Sequence, residues 1–327
     1  MTPSTTGGGR RGLTAAAVPD LVAAARDGQS RAVGRLLSLV EDESPLLPEV
    51  MRALAPHVGH ARIVGLTGAP GVGKSTSTNA LVAELRRRGD RAAVLAIDPS
   101  SPFSGGALLG DRIRMTDHAG DPGVFIRSMA ARGHLGGLSW TAPQAMRVLD
   151  GVGFDVVLVE TVGVGQSEVE IAGHADTTIV LLAPGMGDGI QAAKAGILEV
   201  GDLYVVNKAD RDGATKVRRD LRAMLALAER PEHVWRPPVL LTTAATADGV
   251  PAVADALGEH RAWLESSGEL ERRRVRRVRD EIEAVALGAL RRRWESVGAG
   301  GRLEELARAV VAGETDPYAA AESLLPG

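Results

Sequence analysis

Short apolar runs alternate with amphipathic stretches through the middle of the chain, from about residue 62 to about residue 260. The runs are rich in Val, Ile and Leu, which is typical of strands buried on both faces of a parallel sheet. They predict strands at 63–67, 92–97, 124–128, 154–160, 177–183, 203–207 and 239–242. The stretches between them predict helices that include 76–88 and 214–228. This alternation predicts an α/β fold with a mostly parallel sheet covered by helices, in which ligands bind at the carboxyl ends of the strands.

Helical periodicity flanks this region on both sides. Between residues 18 and 57 apolar positions recur every three or four residues, interrupted at 42–48, which predicts two or three short helices. After Gly268 a heptad-like seam follows, made of Val275, Val278, Ile282, Val285 and Ala289. Such a seam fits an amphipathic helix packed on its own domain, and it also fits an arm packed on a second subunit. We expect a disordered start and N-terminal helical region at 1–60, the α/β domain at 61–260 and a C-terminal helical dimerisation arm at 261–327.

Composition and charge narrow the functional classes. The 327 residues include no cysteine, which excludes disulfide scaffolds, thiolate metal sites and a cysteine nucleophile. The net charge of −3 argues against bulk binding of nucleic acid or of an anionic membrane. The apolar runs are far shorter than the roughly 20 residues needed to span a bilayer, and no apolar segment typical of a secretory signal follows the first arginines. We therefore expect a cytoplasmic protein that binds neither nucleic acid nor membrane.

A phosphate-binding loop follows the first predicted strand. Residues 68–75 fit the pattern G-x-x-x-x-G-K-[ST] and lie between a strand and a helix, as that pattern requires. The glycines allow backbone N–H groups to face a phosphate, and the helix N-terminus adds a favourable dipole. In this P-loop NTPase arrangement Lys74 is expected to bridge the β- and γ-phosphates, and Ser75 to bind Mg²⁺. The candidate phosphate-binding residues are Gly68, Ala69, Pro70, Gly71, Val72, Gly73, Lys74, Ser75 and Thr76.

A second loop carries the residue types that recognise guanine. Residues 207–210 read N-K-A-D and follow the sixth predicted strand. The carboxylate of Asp210 can accept hydrogen bonds from N1–H and the 2-amino group of guanine, whereas adenine would leave it unpaired. The last predicted strand ends in T-T-A, which resembles the S-A loop that closes on guanine in G proteins. The sequence thus favours GTP over ATP, with Asn207, Lys208, Asp210, Thr243, Ala244 and Ala245 as candidate base-binding residues.

Carboxylates at two further strand ends are candidates for a magnesium site. Glu160 ends the fourth predicted strand where G proteins carry D-x-x-G, so Glu160 would hold Mg²⁺ through water and the N–H of Gly163 would meet the γ-phosphate. Val164 stands where a water-orienting glutamine is found in G proteins, so we expect slow intrinsic hydrolysis. Asp98 and Asp111 flank a Pro- and Gly-rich loop and could complete the metal shell, although each alone also fits a cap or turn. The candidate catalytic residues are Lys74, Asp98, Asp111 and Glu160, and the candidate metal ligands are Ser75, Asp98, Asp111 and Glu160.

Taken together, these motifs resemble the MeaB/ArgK group of G-protein chaperones for cobalamin enzymes, within the SIMIBI class of P-loop GTPases. The resemblance covers about residues 60–245 and includes GAPGVGKST, AIDPSSPFSGGALLGDRIRM, VETVGVGQSE and NKAD. It implies a homodimeric GTPase that associates with an adenosylcobalamin-dependent acyl-CoA mutase, usually methylmalonyl-CoA mutase. Such proteins gate cofactor loading and protect or rescue the mutase.

The resemblance also implies roles for individual segments. Asp98, Asp111 and Glu160, with Ser75, become the Mg²⁺ and switch residues, and 183–195 becomes a further switch loop that communicates activation by the mutase. A cobalamin adenosyltransferase is a second implied partner, and no cobalamin is expected to bind to this chain alone. The segment Arg-Gly-His at 132–134 matches a family signature to which no role can be assigned.

Three other functions compete with this interpretation. A nickel-delivery GTPase would need His-rich or Cys-containing metal motifs, but the chain has seven scattered histidines and no cysteine. A kinase or ATPase serving basic amino-acid transport is disfavoured by the guanine-reading N-K-A-D. A binding module without significant turnover remains open, and GTPase assays with and without a mutase would distinguish it.

Overall fold

The computed structural model describes residues 13–99, 118, 120–131, 141–161, 167–185, 197–227, 234–296 and 299–324. These residues form a seven-stranded parallel sheet with helices on both faces. The strands are β1 Arg62–Thr67, β2 Ala92–Pro99, β3 Val124–Ala131, β4 Val156–Thr161, β5 Thr177–Leu182, β6 Leu203–Val206 and β7 Val239–Leu241. The predicted α/β fold is therefore confirmed.

The helices precede, connect and follow these strands. They are α1 Val18–Arg26, α2 Ser30–Glu41, α3 Leu47–Leu54, α4 Lys74–Arg87, α5 Thr141–Gly151, α6 Ser167–His174, α7 Ile197–Val200, α8 Ala214–Ala226, α9 Val250–Ser266, α10 Glu269–Ser296, α11 Ala299–Val311 and α12 Pro317–Glu322. The observed α4 begins two residues before the predicted helix, because the last residues of the glycine-rich loop already form its first turn. Likewise β2 extends past the apolar run to Pro99, because its backbone pairs with β3 as far as Ala131.

The strand order places the glycine-rich loop at the centre of the sheet. The order is β3-β2-β4-β1-β5-β6-β7, so β1 lies between β4 and β5. In a parallel sheet all carboxyl ends lie on one edge, and connections that diverge on either side of a strand open a crevice there. The segments that follow β1, β4, β6 and β7 therefore meet on the same edge.

Alternating side chains of the strands divide between two apolar layers. On β2, Ala93 and Leu95 pack with the N-terminal helices α1–α3 and with α5, whereas Ala92 and Val94 pack on the layer formed by α4 and α9. This strict alternation follows from the two-residue period of a strand. It explains why the strands are almost wholly apolar, since neither face of the sheet is left to solvent.

The chain divides into two compact units, Met1–Arg274 and Val275–Gly327. In the second unit all five side chains of the predicted seam are exposed, with Ile282 64% and Val275 57% exposed. None of the helices in the described part of the chain has the length and apolar composition that a membrane span requires.

Candidate functional site

The glycine-rich loop joins β1 to α4 in a conformation that requires three glycines. Gly68 has φ +146°, Gly71 has φ +82° and Gly73 has φ +93°, a region that residues other than glycine rarely adopt. A Cβ at Gly68 would also collide with the backbone carbonyl of Leu181 on β5. Lys74, the first residue of α4, is 8% exposed, and its ammonium group donates to the carbonyls of Gly68 and Ala69. The loop thus surrounds the lysine at the N-terminus of a helix, where the dipole favours an anion.

Asn207 joins the loop after β6 to the glycine-rich loop. Its side-chain amide donates to the carbonyl of Val72 at 2.9 Å, and its Oδ1 accepts from the backbone N–H of Ala244 at 3.0 Å. The hydroxyl of Thr242 also donates to Oδ1, at 3.3 Å. With 3% exposure, Asn207 is a buried link between three loops that are far apart in the sequence.

The remaining candidate base-binding residues surround this link. Lys208 has φ +59° and donates from Nζ to the carbonyl of Gly71 at 2.6 Å, so its aliphatic stem lies between the two loops. The N–H of Ala209 donates to the carbonyl of Thr242 at 3.0 Å, which holds the N-K-A-D loop against the end of β7. The side chain of Asp210 is exposed. The structure therefore brings the candidate phosphate and base residues to one edge of the sheet.

Glu160 lies at the end of β4, beside the N-terminus of α4. Its carboxylate is 3% exposed and accepts two hydrogen bonds from α4, one from Ser75 Oγ at 2.7 Å and one from Thr78 Oγ1 at 2.9 Å. The register that pairs Glu160 with Leu66 of β1 places it next to the glycine-rich loop. Sequence reasoning missed Thr78. Its position one helical turn after Ser75 was the available signal, because residues three apart share a helix face.

These oxygens fit the preferences of Mg²⁺. Serine hydroxyl and carboxylate oxygens are the hard ligands that Mg²⁺ prefers, and nucleotide sites supply few protein ligands besides phosphates and waters. Ser75 Oγ and Glu160 Oε1 lie 2.7 Å apart at the helix N-terminus, close enough to serve one ion and its water shell. In the described part of the chain no three acidic or histidine side chains form a group that could hold a metal by themselves.

Several predicted site residues fall outside the described part of the chain. They are the side chain of Asp98, whose backbone belongs to β2, together with Asp111, Gly163, Val164, residues 132–134 and most of the predicted switch loop 183–195. Thr76 and Ala245 are described and exposed, at the start of α4 and beside Ala244.

A charged and aromatic cluster lies at the opposite, amino-terminal edge of the sheet. His260 is fully buried, with Nδ1 within hydrogen-bond distance of Thr177 Oγ1 at 2.8 Å and its ring stacked on Trp263. Arg273 donates to both carboxylate oxygens of Asp202, whose Oδ1 lies 3.4 Å from His260 Nε2. Burial lowers the pKa of His260 to about 4, and the positive charge of Arg273 acts in the same direction while Asp202 opposes it. This cluster lies at the edge of the sheet opposite the candidate nucleotide-binding residues, so we interpret it as structural.

Comparisons with known proteins agree with this geometry. Residues 33–298 match the model of the family described as methylmalonyl-CoA mutase-associated GTPase MeaB. A protein of Pyrococcus abyssi is 46% identical over 310 residues, covering 94% of this chain and 96% of that protein. The mouse protein named methylmalonic aciduria type A homolog, mitochondrial, is 41% identical over 214 residues, covering 64% of this chain and 52% of that one.

A solved structure extends the similarity to the fold. The crystal structure of a LAO/AO transport system kinase superposes with a TM-score of 0.71 at 28% identity, covering 96% of this chain and 98% of that one. The family match begins within α2 and includes α3, the glycine-rich loop, Glu160 and the N-K-A-D loop. The resemblance expected from the sequence motifs is confirmed, and this chain is a member of the MeaB family of P-loop GTPases.

Proposed function

We propose that this protein binds and hydrolyses GTP in order to gate cofactor loading, protection and reactivation of an adenosylcobalamin-dependent acyl-CoA mutase, with methylmalonyl-CoA mutase as the first candidate. The observation that carries the proposal is the family match over residues 33–298, whose description names both a GTPase and that mutase. The similarity to the mouse methylmalonic aciduria type A homolog supports the same partner. A cobalamin adenosyltransferase is a second candidate partner.

The nucleotide part of the proposal rests on the joined loops. Backbone N–H groups of 68–73 and the N-terminus of α4 would hold the phosphates, and Lys74 would leave the carbonyls of Gly68 and Ala69 to contact the β- and γ-phosphates. Asp210 would accept from guanine, with the stem of Lys208 along the purine face. Asn207 keeps both parts of the site in register because it bonds to both loops.

The metal part of the proposal rests on Ser75 and Glu160. When bound, Mg²⁺ neutralises charge that develops on the phosphate oxygens. Ser75 would turn its hydroxyl oxygen to the ion, and Glu160 would accept hydrogen bonds from its water ligands. Asp98 and Asp111 would complete this shell when GTP is present. Their replacement by alanine is therefore expected to reduce GTP hydrolysis more than GDP binding, and an equal loss of both would instead indicate a folding role.

The C-terminal unit supports a homodimer. An exposed row of five apolar side chains on α10 is typical of a helix that packs on a partner, because isolated apolar seams are rarely left in water. We propose that residues 261–327 form the dimerisation arm. Sedimentation analysis of the wild type and of Ile282→Asp tests this point: a dimer that becomes a monomer supports it, and an unchanged mass contradicts it.

The decisive experiment measures hydrolysis with and without the mutase. Single-turnover GTP and ATP hydrolysis are followed for the protein alone and with methylmalonyl-CoA mutase added. We expect GTP to be preferred over ATP. Hydrolysis by the protein alone is expected to be slow, because Val164 replaces a water-orienting residue. The mutase is expected to accelerate hydrolysis by about tenfold or more, which requires a barrier lower by only about 1.4 kcal/mol. GTP binding without hydrolysis under either condition would indicate a binding module. ATP preference would contradict the guanine-reading loop.

A second readout tests the effect on the mutase. Mutase that has been inactivated during turnover is expected to regain activity when this protein, GTP and fresh adenosylcobalamin are added. The matched control is Lys74→Ala, which removes the phosphate-binding ammonium group. Equal recovery with wild type and Lys74→Ala would separate any effect on the mutase from GTP hydrolysis.

A further inference from the structure

The hydroxyl of Thr78 touches the carboxylate that is proposed to hold the metal. Thr78 lies on α4, one turn after Ser75, and is fully buried. Its Oγ1 lies 2.9 Å from Glu160 Oε2 and 3.1 Å from the carbonyl oxygen of Lys74. The two α4 hydroxyls therefore contact different oxygens of the same carboxylate: Ser75 contacts Oε1 and Thr78 contacts Oε2.

The hydroxyl of Thr78 has one proton and can donate it to only one of its two neighbouring acceptors. A threonine within a helix often donates to the carbonyl four residues earlier, here Lys74, and that bond alone would make Thr78 a local helix feature. A carboxylate is the stronger acceptor, because hydrogen bonds to ionised groups are shorter and roughly twice as strong as neutral ones. The proton of Thr78 is thus directed to Glu160, which lies 82 positions away in the sequence.

We propose that Thr78 is a positioning residue for Glu160 in the magnesium site, an inference that rests on the proposed function. Ser75 would use its oxygen for the ion as well, whereas Thr78 faces Oε2 and serves the carboxylate alone. With Oε2 held from α4, Oε1 stays directed at the N-terminus of the helix. A buried carboxylate that loses such a donor can rotate, and it also becomes more costly to keep charged.

Groups outside the coordination shell that hold its ligands in place, as Glu160 would hold the water ligands, usually contribute about 10- to 100-fold to metal affinity. Thr78 meets Glu160 through one hydrogen bond, and the Ser75 side of the carboxylate is unchanged by substitution at Thr78. We therefore expect an effect at the lower end, about tenfold. A role confined to the helix would lower stability without changing the affinity for the ion.

The test compares Thr78→Val with Thr78→Ser and Ser77→Ala in the full chain. Valine keeps the branched shape but lacks the hydroxyl, and serine restores it. Ser77 is the matched control, because its buried Oγ is one position away on α4 and has no hydrogen-bond partner among the described residues. Mn²⁺ serves as the probe: electron paramagnetic resonance of free Mn²⁺ gives its affinity for the protein–GDP complex, independently of turnover. The Mg²⁺ concentration for half-maximal GTP hydrolysis and the unfolding midpoint without nucleotide are measured in parallel.

We expect Thr78→Val to weaken Mn²⁺ binding and to raise the half-maximal Mg²⁺ concentration, each by about tenfold. Thr78→Ser is expected to recover most of this loss, and Ser77→Ala to leave both quantities unchanged. In a Glu160→Gln background the valine change is expected to have no further effect on Mn²⁺ binding, because the oriented carboxylate is already gone.

Three results would overturn the inference. Unchanged Mn²⁺ affinity in Thr78→Val would leave the hydroxyl with a helix role alone. A loss of affinity that persists undiminished in the Glu160→Gln background would show that Thr78 does not act through Glu160. If Thr78→Val does not fold, Thr78→Ala is measured against the same criteria. If the wild-type protein binds GDP but neither Mn²⁺ nor Mg²⁺ affects it, the proposed metal site fails and the inference fails with it. If the wild-type protein responds to the metal and Thr78→Val binds Mn²⁺ with unchanged affinity, the inference alone fails and the proposed metal site stands.

Discussion

Replacement of Asn207 by alanine is expected to separate the phosphate loop from the base-reading loop. The change removes three hydrogen bonds of a buried side chain: to the carbonyl of Val72, from the N–H of Ala244 and from the hydroxyl of Thr242. A typical intramolecular hydrogen bond contributes about 1 kcal/mol net, and a buried group left unpaired costs about 1–3 kcal/mol. We therefore expect the free energy of unfolding to fall by about 3 kcal/mol.

The same substitution is expected to weaken GDP binding. Asn207 is the side chain that contacts both the 68–75 loop and the end of β7, so its loss lets the two halves of the site move apart. A loss of about 1.4 kcal/mol of binding free energy corresponds to a tenfold higher dissociation constant for GDP, and we expect an increase of at least this size. Urea unfolding without nucleotide gives the first quantity, and titration calorimetry with GDP gives the second.

Thr246→Ala is the control in the same region. Its hydroxyl bonds to Asp248 Oδ2 at 2.7 Å and to the carbonyl of Thr243 at 3.1 Å, but the residue is exposed, so water replaces both partners. The expected change is within about 0.5 kcal/mol. Asn207→Ala with stability and GDP affinity equal to wild type would refute the reasoning. An equally large loss in Thr246→Ala would show that any disturbance of this loop suffices.

Three other substitutions test separate parts of the structure. Asp210→Asn is expected to weaken GTP binding by about 1.5–3 kcal/mol and to shift preference towards xanthosine nucleotides, whose 2-oxo group is an acceptor; unchanged GTP affinity by calorimetry would show that Asp210 does not contact the base. The wild type is expected to lose about 2 kcal/mol of stability from pH 7 to pH 5, because the unfolded imidazole has its ordinary pKa of 6.5 and binds a proton there, whereas burial lowers the pKa of the folded imidazole to about 4. His260→Gln is expected to remove this loss. Urea unfolding at both pH values measures it, and identical pH dependence in the two proteins would contradict the buried neutral histidine. Gly68→Ala is expected to destabilise the protein by about 1–3 kcal/mol and to abolish tight GDP binding, because its φ of +146° and the nearby Leu181 carbonyl exclude a Cβ; a normal melting temperature would refute this.

Local features of the site could be predicted from the sequence. The glycine-rich loop, the strand before it and the helix after it are contiguous, so one short pattern specifies all three. The seven strands could be found because burial on both faces makes each of them an apolar run. Their ends were less predictable: Asp98 extends β2 as a paired backbone residue although its side chain ends the apolar run. The exposed seam of α10 was visible as a pattern, but the pattern alone allowed packing on its own domain as well as packing on a second subunit.

The class of fold, the phosphate loop and the preference for guanine could be predicted from the chain alone, since each depends on residues that are neighbours in the sequence. Which distant residues meet depends on the packed sheet. The position of β1 between β4 and β5 is not encoded in any periodicity. It brings Glu160 to α4, and it places Gly68 so close to the Leu181 carbonyl of β5 that a Cβ would collide with it. The contacts of Asn207 with Val72 and of Thr78 with Glu160 span 135 and 82 positions. Hydrogen bonds over such separations depend on the order and register of the strands, and these are fixed only when the whole sheet packs against its helices.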